Sequence, residues 1–599
     1  MDATSRRSVF SVRGLLSPSP LLIASALLLA SCGPDPTPSA TSDRASTSTS
    51  PTSTSVASTT STVTTFPGST TTSTTVPVPA DAVMQLSFQF ATDARWSDGS
   101  KISVADVACT VRALSLTPGS TEADAYAAVI DVRAGRAEDS VEVYFDRVVS
   151  GHRVLFDRLL QASQIDDCAD VSTLWEDSSP SALAPLEVEV WNAVQLILGV
   201  AEQSGDELEI GFERLVFVPI GDIDLEVEVL RSGEVDLIVP ELSVGVAEGL
   251  DDPNLRFELQ SSGRHEDLYL NGATDGSFSD SVFRDAFWRS LDRDRLIEEV
   301  YKAIRPDTAL WNCGPVTEPD WCAGTAPFAD AFDPGGAAQS LTDEGWTFDS
   351  DGHWQDASGE PHQIRWLVDG GHGRQAQLVE SIVPMMSEAG FDVLVEECSG
   401  ECVFRDQLAS GDWDMAVYAE EGLADIGLFG RRFACDERSN TESPGWNVTG
   451  FCDAETDSLL ARALSTRSAD EQIEYIQRVL DRLAATRHVL PLARIPSAIA
   501  WRPDKLGPES VLSDIRTAAL WEIEDLLALQ DLDGDGQVVI GVEHWPSCEN
   551  PVLTCGGVGW FRRGVGAVVV PGLWGTRDGR TLTHSPLVRQ EPFVTVLKN

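Results

Sequence analysis

Cysteines are the residues whose number and spacing most clearly indicate chemistry. The chain of 599 residues contains 11 of them, which is typical of a protein from an oxidising compartment. Short separations along the chain favour four local disulfides and leave one more distant pair, although spacing alone does not determine connectivity. The predicted pairs are Cys313–Cys322, Cys398–Cys402, Cys435–Cys452, Cys548–Cys555 and Cys109–Cys168.

A metal site is the alternative use for these thiols. The sequence has no CxxC pair, and none of its 8 histidines is spaced as in HExxH. It also lacks a GxSxG nucleophile elbow and a phosphate-binding P-loop. We therefore predict no metal, no cofactor and no enzymatic activity.

A run of alternating aspartates, DLDGDG (531–536), could bind calcium. Its aspartates and Gly536 match positions 1, 3, 5 and 6 of an EF-hand loop. Position 12 holds Val542, and Glu543 comes one place late, so the usual bidentate ligand is missing. A weak calcium site and an acidic linker both stay open.

The first eighty residues predict export and anchoring. A positively charged segment precedes the apolar run LLIASALLLA (21–30), which is too short to span a bilayer and indicates a signal segment. The run ends in LASC, which resembles the bacterial lipobox, so we predict residues 1–32 as a signal peptide with lipidation of Cys32. General secretion and twin-arginine export both stay open. Residues 33–80 are rich in Ser, Thr and Pro and predict a disordered tether.

Charge limits the partners of the chain as a whole. The formal net charge is −51, which argues against nucleic acid and anionic membrane surfaces because both would repel the molecule. An apolar content of 42% is ordinary for a globular protein.

The elements that must position any site predict an α/β protein. VMQLSFQF (83–90) alternates apolar and polar residues, as a half-buried strand does. A strand over 213–220, a helix over 223–233 and a short apolar strand over 235–240 give the rhythm of a parallel sheet. Periodicity also predicts one long helix over 280–304.

Several motifs occur in the order seen in one known family. They are WSDGSKISVADV (96–107), LRSGEVDLIVP (230–240), LYLNG (268–272), FRDAFWRSLDRDRLI (283–297), FCDAETDSLLARAL (451–464) and LPLARIPSAIAW (490–501). In this order they resemble family 5 extracellular solute-binding proteins, the oligopeptide, dipeptide and nickel-type receptors of ABC importers. The ordered set of motifs covers about 400 residues, and each motif by itself is short.

This resemblance implies a bilobed α/β fold of the periplasmic-binding-protein type II. The expected crossing strands between the lobes are 266–272 and 490–500, and the ligand is enclosed by hinge closure. The implied boundaries are 81–265 for the first part of lobe 1, 266–495 for lobe 2 and 496–599 for the remainder of lobe 1.

The same resemblance suggests where a ligand would bind. In the family's peptide receptors, an Asp that meets the ligand's α-amine follows the strand matched here by DMAVYAEEG (414–422). The Gly-Trp and Asp-Pro motifs that are usual at this place in the family are absent here, so a non-peptide solute is an alternative. Two further candidate linings are SPGWNVTG (443–450) and the Asn-Pro turn after Cys548. The predicted ligand contacts are Tyr418, Glu420, Glu421, Asp425, Trp446, Asn447, Glu549 and Asn550.

The order of segments departs from the family. VVIGVEHWPSCENPV (538–552) and VVVPGLWGTRDG (568–579) resemble a segment that precedes WSDG in family members. We interpret 538–599 as that segment in a circularly permuted chain, which requires 593–598 to pair antiparallel with 83–90. A truncated tandem copy is the alternative.

Together these observations predict a monomeric solute-binding lipoprotein at the outer face of the cell membrane. Its expected partners are a small solute, with a peptide as the favoured class, and the permease subunits of an ABC importer. A ligand-sensing or adhesive surface lipoprotein on the same scaffold is the alternative function.

Overall fold

The computed structural model describes most of the chain after the predicted tether. The described residues are 77–597, with gaps at 121–122, 150–151, 176–181, 202–208, 221–224, 261–263, 273–275, 317–318, 323, 330–331, 371–372, 399–403, 421–425, 440–444, 467, 510–522, 544, 547, 554–568 and 576–582. Within them, no helix combines the length and the apolar character needed to cross a membrane. The predicted signal peptide, Cys32 and residues 33–76 of the predicted tether lie outside the described residues.

The strands, numbered in chain order, are β1 (Met84–Gln89), β2 (Val129–Ala134), β3 (Ser140–Phe145), β4 (Leu186–Asn192), β5 (Gln195–Val200), β6 (Arg214–Pro219), β7 (Leu237–Ile238), β8 (Arg256–Gln260), β9 (His265–Leu270), β10 (Thr347–Phe348), β11 (Trp354–Gln355), β12 (Gln363–Asp369), β13 (Asp392–Cys398), β14 (Met415–Glu420), β15 (Val489–Arg494), β16 (Ser497–Trp501), β17 (Leu506–Gly507), β18 (Gln530–Asp531), β19 (Gln537–Val542), β20 (Trp574–Gly575), β21 (Thr583–His584) and β22 (Phe593–Val596).

The helices are α1 (Val104–Leu116), α2 (Ala123–Ala127), α3 (Glu226–Ser232), α4 (Val244–Leu250), α5 (Ser281–Ser290), α6 (Arg293–Leu296), α7 (Lys302–Ile304), α8 (Pro334–Asp343), α9 (Gly373–Glu388), α10 (Phe404–Ser410), α11 (Ile426–Arg431), α12 (Ala454–Ser465), α13 (Ala469–Thr486) and α14 (Ile523–Leu527). A π-helical turn, Ile297–Tyr301, joins α6 to α7, and short single-turn helices occupy several loops.

Lobe 1 is built on a seven-stranded sheet in the order β4–β5–β6–β19–β7–β16–β8. The central strands β6, β19 and β7 run parallel, and the outer neighbours run antiparallel. Val538, Ile540 and Val542 of β19 are fully buried, so β19 fills the middle of the sheet. Residues of this sheet share one apolar core with the antiparallel sheet β2–β3–β1–β22.

Lobe 2 has a five-stranded sheet in the order β13–β12–β14–β9–β15. Its buried core draws only on residues between Leu268 and Ala493. The parallel pairs are β12 with β13 and β12 with β14, while β9 runs antiparallel to both of its neighbours. The two sheets with separate cores make the molecule a bilobed α/β protein, as predicted.

The chain crosses between the lobes twice. It leaves lobe 1 after β8 and enters lobe 2 at β9, and it returns from β15 to β16. The second crossing falls within the predicted range 490–500. The first lies just before the predicted range 266–272, because β9 is buried along its whole length and pairs on both edges inside lobe 2.

The predicted pairing of 593–598 with 83–90 is confirmed. β22 runs antiparallel to β1, with Met84 opposite Val596 and Ser87 opposite Phe593. The opposite edge of β1 pairs with β3. β1 is therefore an inner strand only because β22 covers it.

Local signals explain where several helices begin and end. The Ser103 side chain caps α1, and Asp106 completes a capping box. Gly233 ends α3 with φ at 81°, a left-handed conformation that glycine adopts without strain. The single helix predicted over 280–304 is wrong, because extended Leu291 ends α5 and the Asp292 side chain caps a new helix.

Candidate functional site

Acidic residues gather at one edge of the lobe 1 sheet. The parallel strands β6, β19 and β7 all end there, and ligands of α/β proteins bind outside the carboxyl ends of such strands. Glu543 directly follows β19, Glu241 follows β7, and Glu226 begins α3, the helix after β6. We call Glu226, Glu241 and Glu543 the acidic edge and take it as the starting point of the candidate site.

Glu226 is the most deeply buried member of the acidic edge. Its side chain has no exposed surface, and among the described residues neither carboxylate oxygen has a hydrogen-bond partner. Burial raises the pKa of Glu226 well above its ordinary value, and the nearby charges of Glu543 and Glu241 raise it further.

Arg374 of lobe 2 reaches across to lobe 1. It lies near the start of α9 and its side chain is 2% exposed. Nη2 donates to the Glu241 carboxylate at 2.6 Å, and Nη1 donates to the carbonyl oxygen of Leu242 at 2.8 Å. Nε lies 3.1 and 3.2 Å from the two carboxylate oxygens of Glu266 on β9. Burial lowers the pKa of Arg374, but Glu266 and Glu241 more than offset it, so the pKa is raised and the group stays charged.

Two further side chains complete this network. Arg264, at the first crossing, donates to the Glu241 carboxylate at 2.9 Å. Tyr301 donates its hydroxyl to Glu266 at 2.6 Å. Burial raises the pKa of Tyr301 well above its ordinary value, and the charge of Glu266 adds to the effect. Glu241 and Glu266 therefore have cationic or hydroxyl partners within the protein.

The opposite face of β9 carries a second polar row. His265 Nδ1 lies 2.7 Å from Asp267 Oδ2, and the Tyr269 hydroxyl donates to the same oxygen at 3.1 Å. The Tyr269 ring stacks on Tyr418 of β14, with ring centroids 4.4 Å apart. His265 Nε2 and Asp267 Oδ1 are buried without a hydrogen-bond partner in the described part of the chain. Buried polar atoms of this kind are few in native proteins and often mark functional positions.

The residues predicted around β14 fall into three situations. Tyr418 lies in the polar row just described. Glu420 ends β14, where its backbone pairs with His265. Glu421 and Asp425 lie outside the described residues. The structure thus brings the start of the predicted loop next to His265 and Asp267.

The other predicted ligand residues are spread over two loops. The Trp446 ring is faced by the Arg431 guanidinium, whose central carbon is 5.0 Å from the ring centroid. Asn447 is fully buried, and its amide donates to two loop carbonyls. Asn550 is 4% exposed and donates to the carbonyl oxygen of Val171 at 2.6 Å. Both asparagines have the contacts of scaffold residues, and neither enters the site proposed below.

Glu549 is partly exposed next to Asn550, and none of its side-chain contacts is a hydrogen bond or ion pair within the described residues. It lies on the loop that follows β19. It stays a predicted ligand contact.

Three predicted disulfides are confirmed. Cys109–Cys168, Cys313–Cys322 and Cys435–Cys452 are bonded. Cys398 and Cys548 are also disulfide-bonded, and their predicted partners Cys402 and Cys555 lie outside the described residues.

The acidic run 531–536 forms a compact turn between β18 and β19. One carboxylate oxygen each of Asp531, Asp533 and Asp535 lie within 4.8 Å of one another. Both oxygens of Asp531 accept backbone N–H groups of the turn, and Lys505 Nζ lies 3.1 Å from Asp533. The turn therefore satisfies much of its own charge, and both interpretations, a weak calcium site and an acidic linker, stay open.

Sequence reasoning missed Glu226, Glu241, Glu266, Glu543 and Arg374 as site residues. One available signal was an acid placed directly after a buried parallel strand, as in GVEH (541–544) and VPEL (239–242). No comparable signal marked Glu226 or Arg374, since each lies in an ordinary helical pattern.

Comparison with known proteins adds a family and a fold. The model of the bacterial extracellular solute-binding proteins, family 5 (middle part), matches residues 81–422. No protein with a curated description is similar enough in sequence to count as a match.

Solved structures similar to this chain share its fold at low sequence identity. NikZ from Campylobacter jejuni, solved with Ni(L-His), is 16% identical with a TM-score of 0.60 over 72% of this chain and 85% of its own. The oligopeptide-binding protein AppA from Bacillus subtilis, solved with a nonapeptide, is 13% identical with a TM-score of 0.56 over 71% and 84%. A periplasmic oligopeptide-binding protein from Thermotoga maritima is 15% identical with a TM-score of 0.59 over 72% and 83%.

Proposed function

Because the chain belongs to the bacterial extracellular solute-binding proteins of family 5, we propose that it captures a peptide between its two lobes and delivers it to an ABC importer. Members of the family bind small solutes outside the cytoplasm for such importers. The observation that carries the proposal is a set of buried polar atoms at the junction of the lobes. Glu226, His265 and Asp267 each hold an atom there without a partner among the described residues.

A ligand between the lobes would satisfy such atoms. Peptides carry N–H, carbonyl, amine and carboxylate groups, and these can bind both the Asp267 carboxylate and the ring nitrogen of His265. Arg374 already joins the lobes through Glu241 and Glu266. Hinge closure over a bound solute would add contacts on the same junction.

A thermal-shift screen tests the peptide assignment. The protein is purified with Cys32→Ser, so that it carries no lipid, and is screened with di- to octapeptides, sugars and metal chelates. A peptide at one hundred times its dissociation constant should stabilise the fold by about 2.7 kcal/mol. Sugars belong in the screen because the Thermotoga maritima protein has also been solved with mannohexaose. A shift by a sugar or chelate, with none by any peptide, would sink the peptide assignment.

We also propose that a lipid on Cys32 holds the protein at the outer face of the membrane. The support is the LASC motif after an apolar run and the extracytoplasmic location of the family. Cys32→Ser should move the protein from the membrane fraction to the medium. Retention of the variant in membranes would contradict the anchor.

The order of segments supports a further proposal, that the chain is circularly permuted relative to its family. Segment 538–599 contributes the central strand β19 and the covering strand β22 of lobe 1, the places that an opening segment of the family would fill. A leftover tandem copy would add strands outside a sheet that was already complete.

A further inference from the structure

We infer that Glu226 and Glu543 form a subsite for an organic cation, so that the captured solute carries an ammonium or guanidinium group. This inference rests on the proposed solute-binding function and narrows its substrate class. It concerns lobe 1, whereas the ligand contacts predicted from the resemblance around β14 lie in lobe 2.

Among the described residues, the acids around the junction outnumber the cations. Four acids meet there, Glu226, Glu241, Glu266 and Glu543, against the two guanidinium groups of Arg264 and Arg374. Arg264 binds Glu241, and Arg374 binds Glu241 and Glu266. In the described part of the chain, Glu226 and Glu543 contact no cation.

Such an arrangement is costly without a positive partner. A buried carboxylate lacking a cation or donor is strongly disfavoured, and a second carboxylate beside it adds repulsion. The protein can protonate Glu226, which its raised pKa reflects, or a bound cation can supply the missing charge. Binding a cation would therefore relieve a repulsion that exists in the folded protein.

The surroundings suit an organic cation. Glu543 is only partly buried, and fully buried Glu226 beside it would add a second negative charge. An ammonium group has three donors and a guanidinium has five, which two carboxylates can accept. Calcium needs six to eight oxygen ligands, and the Glu241 carboxylate already accepts hydrogen bonds from Arg264 and Arg374.

The position also fits a ligand. Glu543 follows β19 at the carboxyl edge of the central parallel strands, where α/β proteins bind their ligands. Its carboxylate accepts the backbone N–H of Glu241, whose own carboxylate is held by Arg374 of lobe 2. A cation bound by Glu543 would thus be separated by one hydrogen-bonded residue, Glu241, from Arg374 of lobe 2.

Solutes matched in shape but not in charge test this subsite. Isothermal titration of the Cys32→Ser protein would compare trialanine with N-acetyltrialanine, lysine with norleucine, arginine with citrulline, and putrescine with butanediol. We expect a more highly charged member to bind at least about tenfold tighter than its partner. Glu226→Gln and Glu543→Gln should each remove most of that preference, since losing one partner of a buried charge contact costs about 30-fold or more.

Glu234→Gln is the matched control, because Glu234 is exposed just beyond α3 and should keep the preference. Circular dichroism of each variant checks folding, and Glu543→Gln, at a partly exposed position, serves if Glu226→Gln does not fold.

Four results would overturn the subsite. Two concern the natural sequence: charged and matched solutes bind equally, or no charged solute binds. The other two are an unchanged preference for the charged solute in both Gln variants, and stabilisation by calcium or nickel ions alone that depends on Glu226. Equal binding within a pair would leave the solute-binding function standing and remove only the cation subsite.

Discussion

Asp453 shows how one side chain at the residue scale links two helices. Its carboxylate accepts the backbone N–H of Thr456 at the start of α12, at 2.9 Å, and binds Arg482 of α13 through two N–H groups. The bond from Arg482 lowers the pKa of Asp453 from 3.8 to about 2, although burial opposes the change. Because the folded-state pKa lies below the unfolded value, this stabilisation is present above about pH 4 and is lost as the pH falls through about 2.

We expect Asp453→Asn to lower the free energy of unfolding by about 1–2 kcal/mol at neutral pH. Asn keeps the helix cap and removes only the charge. Urea unfolding of both proteins at several pH values would measure the effect, which should shrink as the pH falls below about 4. Asp470→Asn, at an exposed position in the first turn of α13, is the control. A loss that stays constant with pH would show that the charge of Asp453 does not carry the effect.

Individual site residues were the hardest features to predict from the sequence. Glu226 lies in IDLEVEV (223–229), where it looks like a solvent-facing helical residue. In the fold it is fully buried and lies near Glu543, more than three hundred positions away. The local sequence pattern contains no information about contacts between residues so far apart. Helix caps such as Ser103 and helix ends such as Gly233 depend on neighbouring residues, so they could be predicted.

At the scale of elements, β19 is the strand on which lobe 1 depends. It pairs with β6 along six residues and with β7 on its other edge. Burial of Val538, Ile540 and Val542 contributes about 1.5–3 kcal/mol each, against a typical net stability of about 5–15 kcal/mol.

Deletion of 538–599 should therefore abolish soluble folding. Soluble yield and circular dichroism of the truncated chain would measure this. The matched control is a rearranged chain with 538–599 placed before residue 81 through a flexible linker, which restores the family's order of segments and should fold. A truncated chain that folds and binds solute as well as the full chain would favour the leftover-copy interpretation.

Elements were predicted better than their interruptions. The strands over 83–90 and 213–220 appear within a residue or so of their predicted bounds as β1 and β6. The prediction of a single helix over 280–304 is wrong at Leu291, because the apolar stripe on which it was based continues across the break. The start of the new helix is shown only by the Asp292 side chain, which accepts the Arg295 N–H.

At the scale of the whole molecule, Arg374 is a buried side chain of lobe 2 that binds Glu241 and the Leu242 carbonyl of lobe 1. We expect Arg374→Met to destabilise the protein by about 3–5 kcal/mol, because it leaves Glu266 and Glu241 buried without this cation. Chemical unfolding would measure the loss, and small-angle X-ray scattering should report a larger radius of gyration as the lobes separate. Arg295→Met, which removes a largely exposed ion pair with Glu299, should change stability by less than about 1 kcal/mol. A neutral Arg374→Met would show that the lobes are held by other contacts.

The placement of β19 also sets the order in which the protein can be made. The Val539 N–H donates to Asp236, 303 positions earlier in the chain, so lobe 1 depends on contacts of very high sequence separation. The sheet of lobe 2 needs nothing beyond Arg494 and can fold on the nascent chain. Lobe 1 must wait for about one hundred further residues, or roughly 5–20 s of synthesis. Until then its unpaired strands β6 and β7 need protection from aggregation, so we expect the growing chain to depend on chaperones longest in its earlier-made half.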